Sequence, residues 1–140
     1  MMKSSFLVAI ALAGVYAAPP PGLSETDKPY VIDQTNFYGT VIDLETQNTM
    51  GSTPWFLEFY SPYCPHCQHL APTWDELFTR SKDQTYIGRV DCTAKDGRPL
   101  CTKYKVTGYP TLLYMAPGTH EPVKYEGKRN LDDFEEFMME

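Results

Sequence analysis

Apolar positions along the chain alternate between a strand period and a helix period. Tyr30-Val31-Ile32 reads as a short strand, and Phe37, Val41 and Leu44 share one face of a helix predicted over 36–45. Gly51-Ser52-Thr53-Pro54 interrupts the pattern. Trp55-Phe56-Leu57-Glu58-Phe59-Tyr60 is then almost continuously apolar, as a central strand covered on both faces is, with Glu58 as its one charge. Helical spacing returns over 64–80, where Leu70, Trp74, Leu77 and Phe78 line up and Pro72 is expected to kink the axis. A strand over 86–90, a short helix over 100–105, and a hairpin of 111–115 and 123–125 around Pro117-Gly118 follow. Asn130 is placed to cap a last helix bearing Leu131, Phe134 and Met138, with Asp132 and Asp133 at the positive end of its dipole. The order βαβα…ββα, without internal repeats, predicts an α/β fold with a central mixed β-sheet flanked by helices on both faces.

The N-terminus follows a different pattern. Lys3, the apolar run 6–13 and the small residues of Val15-Tyr16-Ala17-Ala18 have the layout of a secretory signal peptide over 1–17. Pro19-Pro20-Pro21 ends the run before it could span a bilayer, which takes about 20 apolar residues. A Pro-rich leader over 18–27 and one domain over 28–140 complete the expected organisation. The destination is then an oxidising compartment where disulfides persist. The C-terminal Phe137-Met138-Met139-Glu140 does not match a Lys/His-Asp-Glu-Leu retention signal. The endoplasmic reticulum lumen is the expected location, and secretion is the alternative.

Length and charge narrow the classes. With 140 residues, 42% hydrophobic and 21% charged, the chain is long enough for one globular core and too short for two large domains. Eighteen acidic against 12 basic residues, net −6 with no basic block, argue against a nucleic-acid partner. Four cysteines are too few for a disulfide-stapled miniprotein, so each needs its own reading.

The chemistry concentrates at Cys64-Pro65-His66-Cys67. Cysteines at i and i+3 at a helix start lie within disulfide reach, and the first sits where unpaired backbone N–H groups and the positive dipole end stabilise a thiolate. Pro65 suits the first helical position, and His66 offers a positive charge or a hydrogen bond to the sulfur. An ordinary thiol with a pKa near ~8.5 is only about 3% ionised at pH 7, so lowering that value is the first requirement of a reactive cysteine. Lower pKa also makes the disulfide a stronger oxidant and the thiolate a weaker nucleophile. Competing readings are a structural disulfide or inert thiols, and zinc held with the help of His66 and His69, although no second close cysteine pair exists. A c-type haem site needs histidine where Gln68 stands.

The run Phe56-Leu57-Glu58-Phe59-Tyr60-Ser61-Pro62-Tyr63-Cys64-Pro65-His66-Cys67 with Leu70-Ala71-Pro72 resembles the active-site segment of thioredoxin-fold protein disulfide isomerases. Val90-Asp91-Cys92-Thr93 and Val106-Thr107-Gly108-Tyr109-Pro110-Thr111 resemble that family's later segments in order and spacing, so the likeness covers about 28–140. It implies a thioredoxin fold, an attacking Cys64 and a resolving Cys67, with Glu58 as the buried carboxylate that shuttles the Cys67 proton. Arg89 then stands as basic partner to that acid, Tyr109-Pro110 as the cis-proline loop that receives an extended substrate, and Arg129 as a mobile charge acting on Cys67. Each has a plainer alternative: a satisfied structural glutamate, a strand-edge arginine, a trans turn proline and a surface charge.

Two departures bear on activity. Tyr63 replaces the family's usual tryptophan beside the first cysteine, and Cys-Pro-His-Cys replaces Cys-Gly-His-Cys, coinciding with strongly oxidising bacterial members. Tyr63, His66, Tyr109 and Pro110 are the residues expected against substrate. The resemblance also implies a structural disulfide between Cys92 and Cys101, as in some endoplasmic-reticulum members, with two free thiols as the alternative. The expected activity is thiol-disulfide exchange on cysteine-containing proteins, without cofactor or metal, with glutathione or a sulfhydryl oxidase as re-oxidant. A redox-assisted client-binding module, or a piece of a larger isomerase or sulfhydryl oxidase, is the alternative.

Overall fold

In the computed structural model residues 18–140 are described, so the signal segment expected over 1–17 lies outside the described residues. The elements run β1 (Tyr30–Val31), β2 (Trp55–Tyr60), α1 (Pro65–Arg80), β3 (Tyr86–Asp91), α2 (Arg98–Lys103), β4 (Thr111–Met115), β5 (Val123–Lys124) and α3 (Leu131–Met138). The five strands form one mixed sheet in the order β1-β3-β2-β4-β5. β2 is central, parallel to β3 and antiparallel to β4.

The pleat sends alternate β2 residues to opposite faces. Trp55, Leu57 and Phe59 pack with Ile32, Phe37, Val41, Val90 and Leu100 on the α2 side. Phe56 packs with Leu70, Trp74, Leu77, Ile87, Leu112 and Phe134 on the side covered by α1 and α3. Glu58 shares the Phe56 parity, and this places a carboxyl group under α1. The near-continuous apolar run in β2 thus serves two cores at once. Trp74 fastens α1 to the sheet by donating its indole N–H to the Gly88 carbonyl at 3.1 Å.

The helix expected over 36–45 does not form. Asp33 and Asp43 accept the backbone N–H groups of Thr35, Glu45 and Thr46, closing local turns that compete with a helix. Gly39 and Gln47 both adopt positive φ, and Ile42 bridges to Tyr38 and Thr49. Thr40, Val41 and Ile42 are all buried, while Leu44, assigned to the helix's apolar face, is 67% exposed. Three consecutive β-branched residues facing inward suit an extended, turning segment better than one stripe of a helix.

α2 begins two residues earlier than expected. Gly97 caps it, and Pro99 lies in its first turn, where its missing N–H costs nothing. A Cβ on Gly97 would meet the Asp91 carbonyl oxygen at 1.9 Å, so only glycine permits this approach. Lys105, at φ +54°, lies beyond the helix end. α1 runs through Pro72 as one helix, and Asn130 caps α3 by accepting the Asp133 N–H at 2.8 Å.

The leader packs on the domain. Thr40 donates to the Pro21 carbonyl at 2.7 Å, Tyr86 donates to the Ala18 carbonyl, and Leu23 joins the α2-side core. Among the described residues no helix is long and apolar enough to cross a membrane.

Candidate functional site

The site begins where β2 stops. Ser61 is buried beyond the strand end, its carbonyl accepting the Cys64 N–H at 3.1 Å and its hydroxyl oxygen the Tyr63 N–H at 3.2 Å. Cys64 is the N-cap of α1, in extended conformation, with Pro65 in the first turn. Its sulfur therefore occupies the place where a serine or aspartate oxygen would accept the free N–H groups of the first turn. The N–H of Cys67, and less strongly that of His66, hold the Cys64 thiol below its ordinary pKa, helped by the Cys67 thiol and the Arg129 charge and opposed by partial desolvation. The imidazole of His66 itself is exposed. Sγ of Cys64 also lies 3.6 Å from the carbonyl oxygen of Tyr109, whose peptide bond to Pro110 is cis.

Cys67, one turn on, is only 3% exposed. Burial pushes its thiol up to about 12; the Ser61 backbone pulls it down, while Cys64 and Glu58 push it further up. The structure holds the pair as two free thiols. One is open and prone to ionise, and the other is enclosed and keeps its proton.

Behind Cys67 lies a cavity of about 260 Å³ lined by Glu58, Tyr60, Cys67, Trp74, Asp75 and Arg89, among others. Glu58 is 4% exposed, and its carboxyl is pushed up to about 7 by burial. Arg89 pulls it back most, Asp75 raises it and Arg129 lowers it slightly. Glu58 and Arg89 are direct neighbours in the parallel β2–β3 register, yet no ion pair joins them within 4.0 Å among the described residues. The Arg89 guanidinium instead lies 6.0 Å from the Tyr60 ring centroid, with its Nε buried and unpartnered.

Around the mouth, Tyr63 is 81% exposed and Tyr109 is 40% exposed. Arg129 is exposed and lines a groove with Tyr109, Pro110 and Thr111. Cys92, just past β3, and Cys101, on α2, are joined in a disulfide on the opposite face of the sheet. His66 and His69 are both exposed, and among the described residues no group of three or more His, Cys, Asp or Glu side chains is placed to hold a metal ion.

Two participants escape a reading of the sequence. Ser61 acts on the Cys67 thiol through its backbone, which no side-chain pattern reports. Asp75 has a legible signal: Cys67, Ala71 and Asp75 recur at four-residue spacing along one face of α1, and all three line the Glu58 cavity.

A family model described as Thioredoxin matches residues 30–140. Protein disulfide isomerase-like 2-2 of Oryza sativa subsp. japonica is 34% identical over 133 residues, covering 93% of this chain and 33% of that protein. Protein disulfide-isomerase-like protein EhSep2 of Emiliania huxleyi is 42% identical over 84 residues, covering 59% of this chain and 37% of its own length. The chain thus spans about a third of the length of these relatives. Among solved structures, the J-Trx1 fragment of ERdj5 superposes with a TM-score of 0.65 at 34% identity, over 79% of this chain and 48% of that one. The first thioredoxin domain of mouse Protein disulfide-isomerase A4 superposes with the same TM-score at 26% identity, over 83% of this chain and 76% of that domain. Since the family match runs from β1 to the last residue and takes in the sheet, both cysteine pairs and the Tyr109–Pro110 loop, this chain belongs to the thioredoxin family.

Proposed function

We propose that the chain is a thiol-disulfide oxidoreductase acting on cysteines of proteins in the secretory pathway. The observation that carries this reading is the opposite treatment of two thiols one helical turn apart, Cys64 lowered and exposed, Cys67 raised and buried. The Cys64 thiolate attacks one sulfur of a client disulfide. A Cys64–client bond forms, the client S–S bond breaks, and the departing sulfur leaves as a thiolate that takes a proton from water. Cys67 then passes its proton to the ionised Glu58 and attacks Cys64 Sγ. The Cys64–Cys67 bond forms, the client's second thiolate leaves, and the client has gained two electrons that the protein has lost. Run in reverse, the same steps oxidise a client dithiol. A carboxyl near 7 suits the shuttle, since it accepts and returns a proton at neutral pH.

Low Cys64 pKa and the Cys-Pro-His-Cys sequence favour net oxidation, with glutathione disulfide or a sulfhydryl oxidase restoring the disulfide. The signal-like first 17 residues and the likeness to protein disulfide isomerases favour the endoplasmic reticulum lumen, with secretion as the alternative. The reduction potential of the Cys64–Cys67 pair decides the direction: near about −120 mV for an oxidase, about −180 mV for an isomerase, about −270 mV for a reductase. The exchange reading fails if Cys64→Ala leaves oxidation of a reduced model protein unchanged.

The exposed rings of Tyr63 and Tyr109 favour a second reading, a module that holds unfolded clients. Retained client protection by the Cys64→Ala, Cys67→Ala double variant would support it.

A further inference from the structure

Asp75 projects from α1 into the cavity that holds Glu58, and its carboxylate lies 3.2 Å from Nζ of Lys28, in the segment leading into β1. Lys28 precedes residues 30–140, the part of the chain that the family model matches. A charge next to the proton-accepting end of the site is therefore paired with a residue just ahead of the part that the family model matches.

The charged and titratable groups around Glu58 come from every side. β3 contributes Arg89 and α1 contributes Cys67 and Asp75. Tyr60 stands two residues along β2, Arg129 acts from the loop before α3, and β4 places the apolar Leu112 opposite. The two arginines favour the ionised carboxylate. Among the groups acting on Glu58, Asp75 is the one that opposes them.

We propose that Asp75 is a positioning residue for the proton on Glu58, and that Lys28 sets how much of the Asp75 charge Glu58 feels. Among the described residues the one side-chain hydrogen bond or ion pair of Lys28 is to Asp75, and its side chain is otherwise 58% exposed. The two residues consequently act as one unit. The pair is itself partly solvated, so its influence weakens as salt screens it.

The inference rests on the exchange reading above, and its test does not use activity. In the reduced full chain, the Glu58 carboxyl carbon is titrated by NMR. Asp75→Asn, which removes a negative neighbour, lowers the midpoint; Lys28→Gln, which uncovers that neighbour, raises it by up to about half a pH unit, roughly threefold in proton affinity. In the Asp75→Asn background the Lys28 substitution loses most of its effect, since nothing then holds the ammonium near the cavity. In about 1 M salt the Lys28→Gln shift shrinks. A midpoint unmoved by Asp75→Asn, or a Lys28→Gln shift of equal size in both backgrounds, overturns the proposal. If exchange activity is absent while the shifts appear, the oxidoreductase reading fails and the Asp75 coupling stands; if exchange is intact without the shifts, the coupling fails alone.

Discussion

Sγ of Cys64 has two sets of partners that favour opposite protonation states. The N–H groups of Cys67 and His66 stabilise the thiolate, whereas the Tyr109 carbonyl oxygen, 3.6 Å away, can only accept a bond from the thiol. The net effect holds the Cys64 thiol below its ordinary value.

Selective alkylation follows from the two thiols. Iodoacetamide at pH 7 to 8 is expected to label Cys64 and spare Cys67, with both labelled after unfolding, as read by mass spectrometry. The Cys64 rate should rise with pH through a midpoint below that of an ordinary thiol, about 8.5. Arg129→Met should move that midpoint upward, because the guanidinium favours the thiolate.

Burial of Glu58 gives stability a pH dependence with a definite sign. Its carboxyl titrates near 4.5 when unfolded and at about 7 when folded. Below the lower value it is neutral in both states and costs nothing extra. Between the two values the unfolded chain gives up the proton while the folded protein keeps it, so stability falls as pH rises from about 4.5 to about 7 and levels off above. Glu58→Gln should therefore gain stability relative to the parent between pH 4 and pH 8, by roughly 3 kcal/mol in urea titrations. On the exchange proposed above, the same variant should also slow release of client from the mixed disulfide, since Glu58 is there the acceptor of the Cys67 proton.

The Cys92–Cys101 bridge closes a loop with a sequence separation of 9. Constraining a loop of that size in the unfolded chain contributes about 2–3 kcal/mol. The Cys92→Ala, Cys101→Ala double variant should lose that much in a denaturant titration, while Cys64 keeps its alkylation rate.

Gly97→Ala tests the close approach of α2 to the end of β3. The added methyl meets the Asp91 carbonyl carbon as well as its oxygen, at 2.8 Å and 1.9 Å, and backbone cannot swing aside as a side chain does. A loss of roughly 3 kcal/mol is expected from overpacking of this kind, measured by chemical denaturation.

Elements with a strong period were legible in the chain itself. β2 and α1 read correctly because a run of six mainly apolar residues and a stripe at 70, 74, 77 and 78 each admit few alternatives. The segment 36–45 did not, because its apolar spacing suits a helix while Asp33, Gly39 and Asp43 close turns whose strength spacing does not measure. The start of α2 depended on a steric fact, the contact of Gly97 with Asp91, that no local pattern contains.

The sequence by itself determined the thiols, their spacing of three, and their position at the start of a helix after a buried strand. These are local properties, fixed by turn chemistry and by the free N–H groups of a first helical turn. Tertiary structure decided everything that depends on distant residues meeting. β-sheet register put Arg89 beside Glu58, the packing of α1 over the sheet enclosed Glu58 with Cys67 and Asp75, and the path of the chain into β1 brought Lys28 to Asp75. Proton affinities in the site are set by burial and by charges far apart in the chain, and those quantities exist only once the chain has folded.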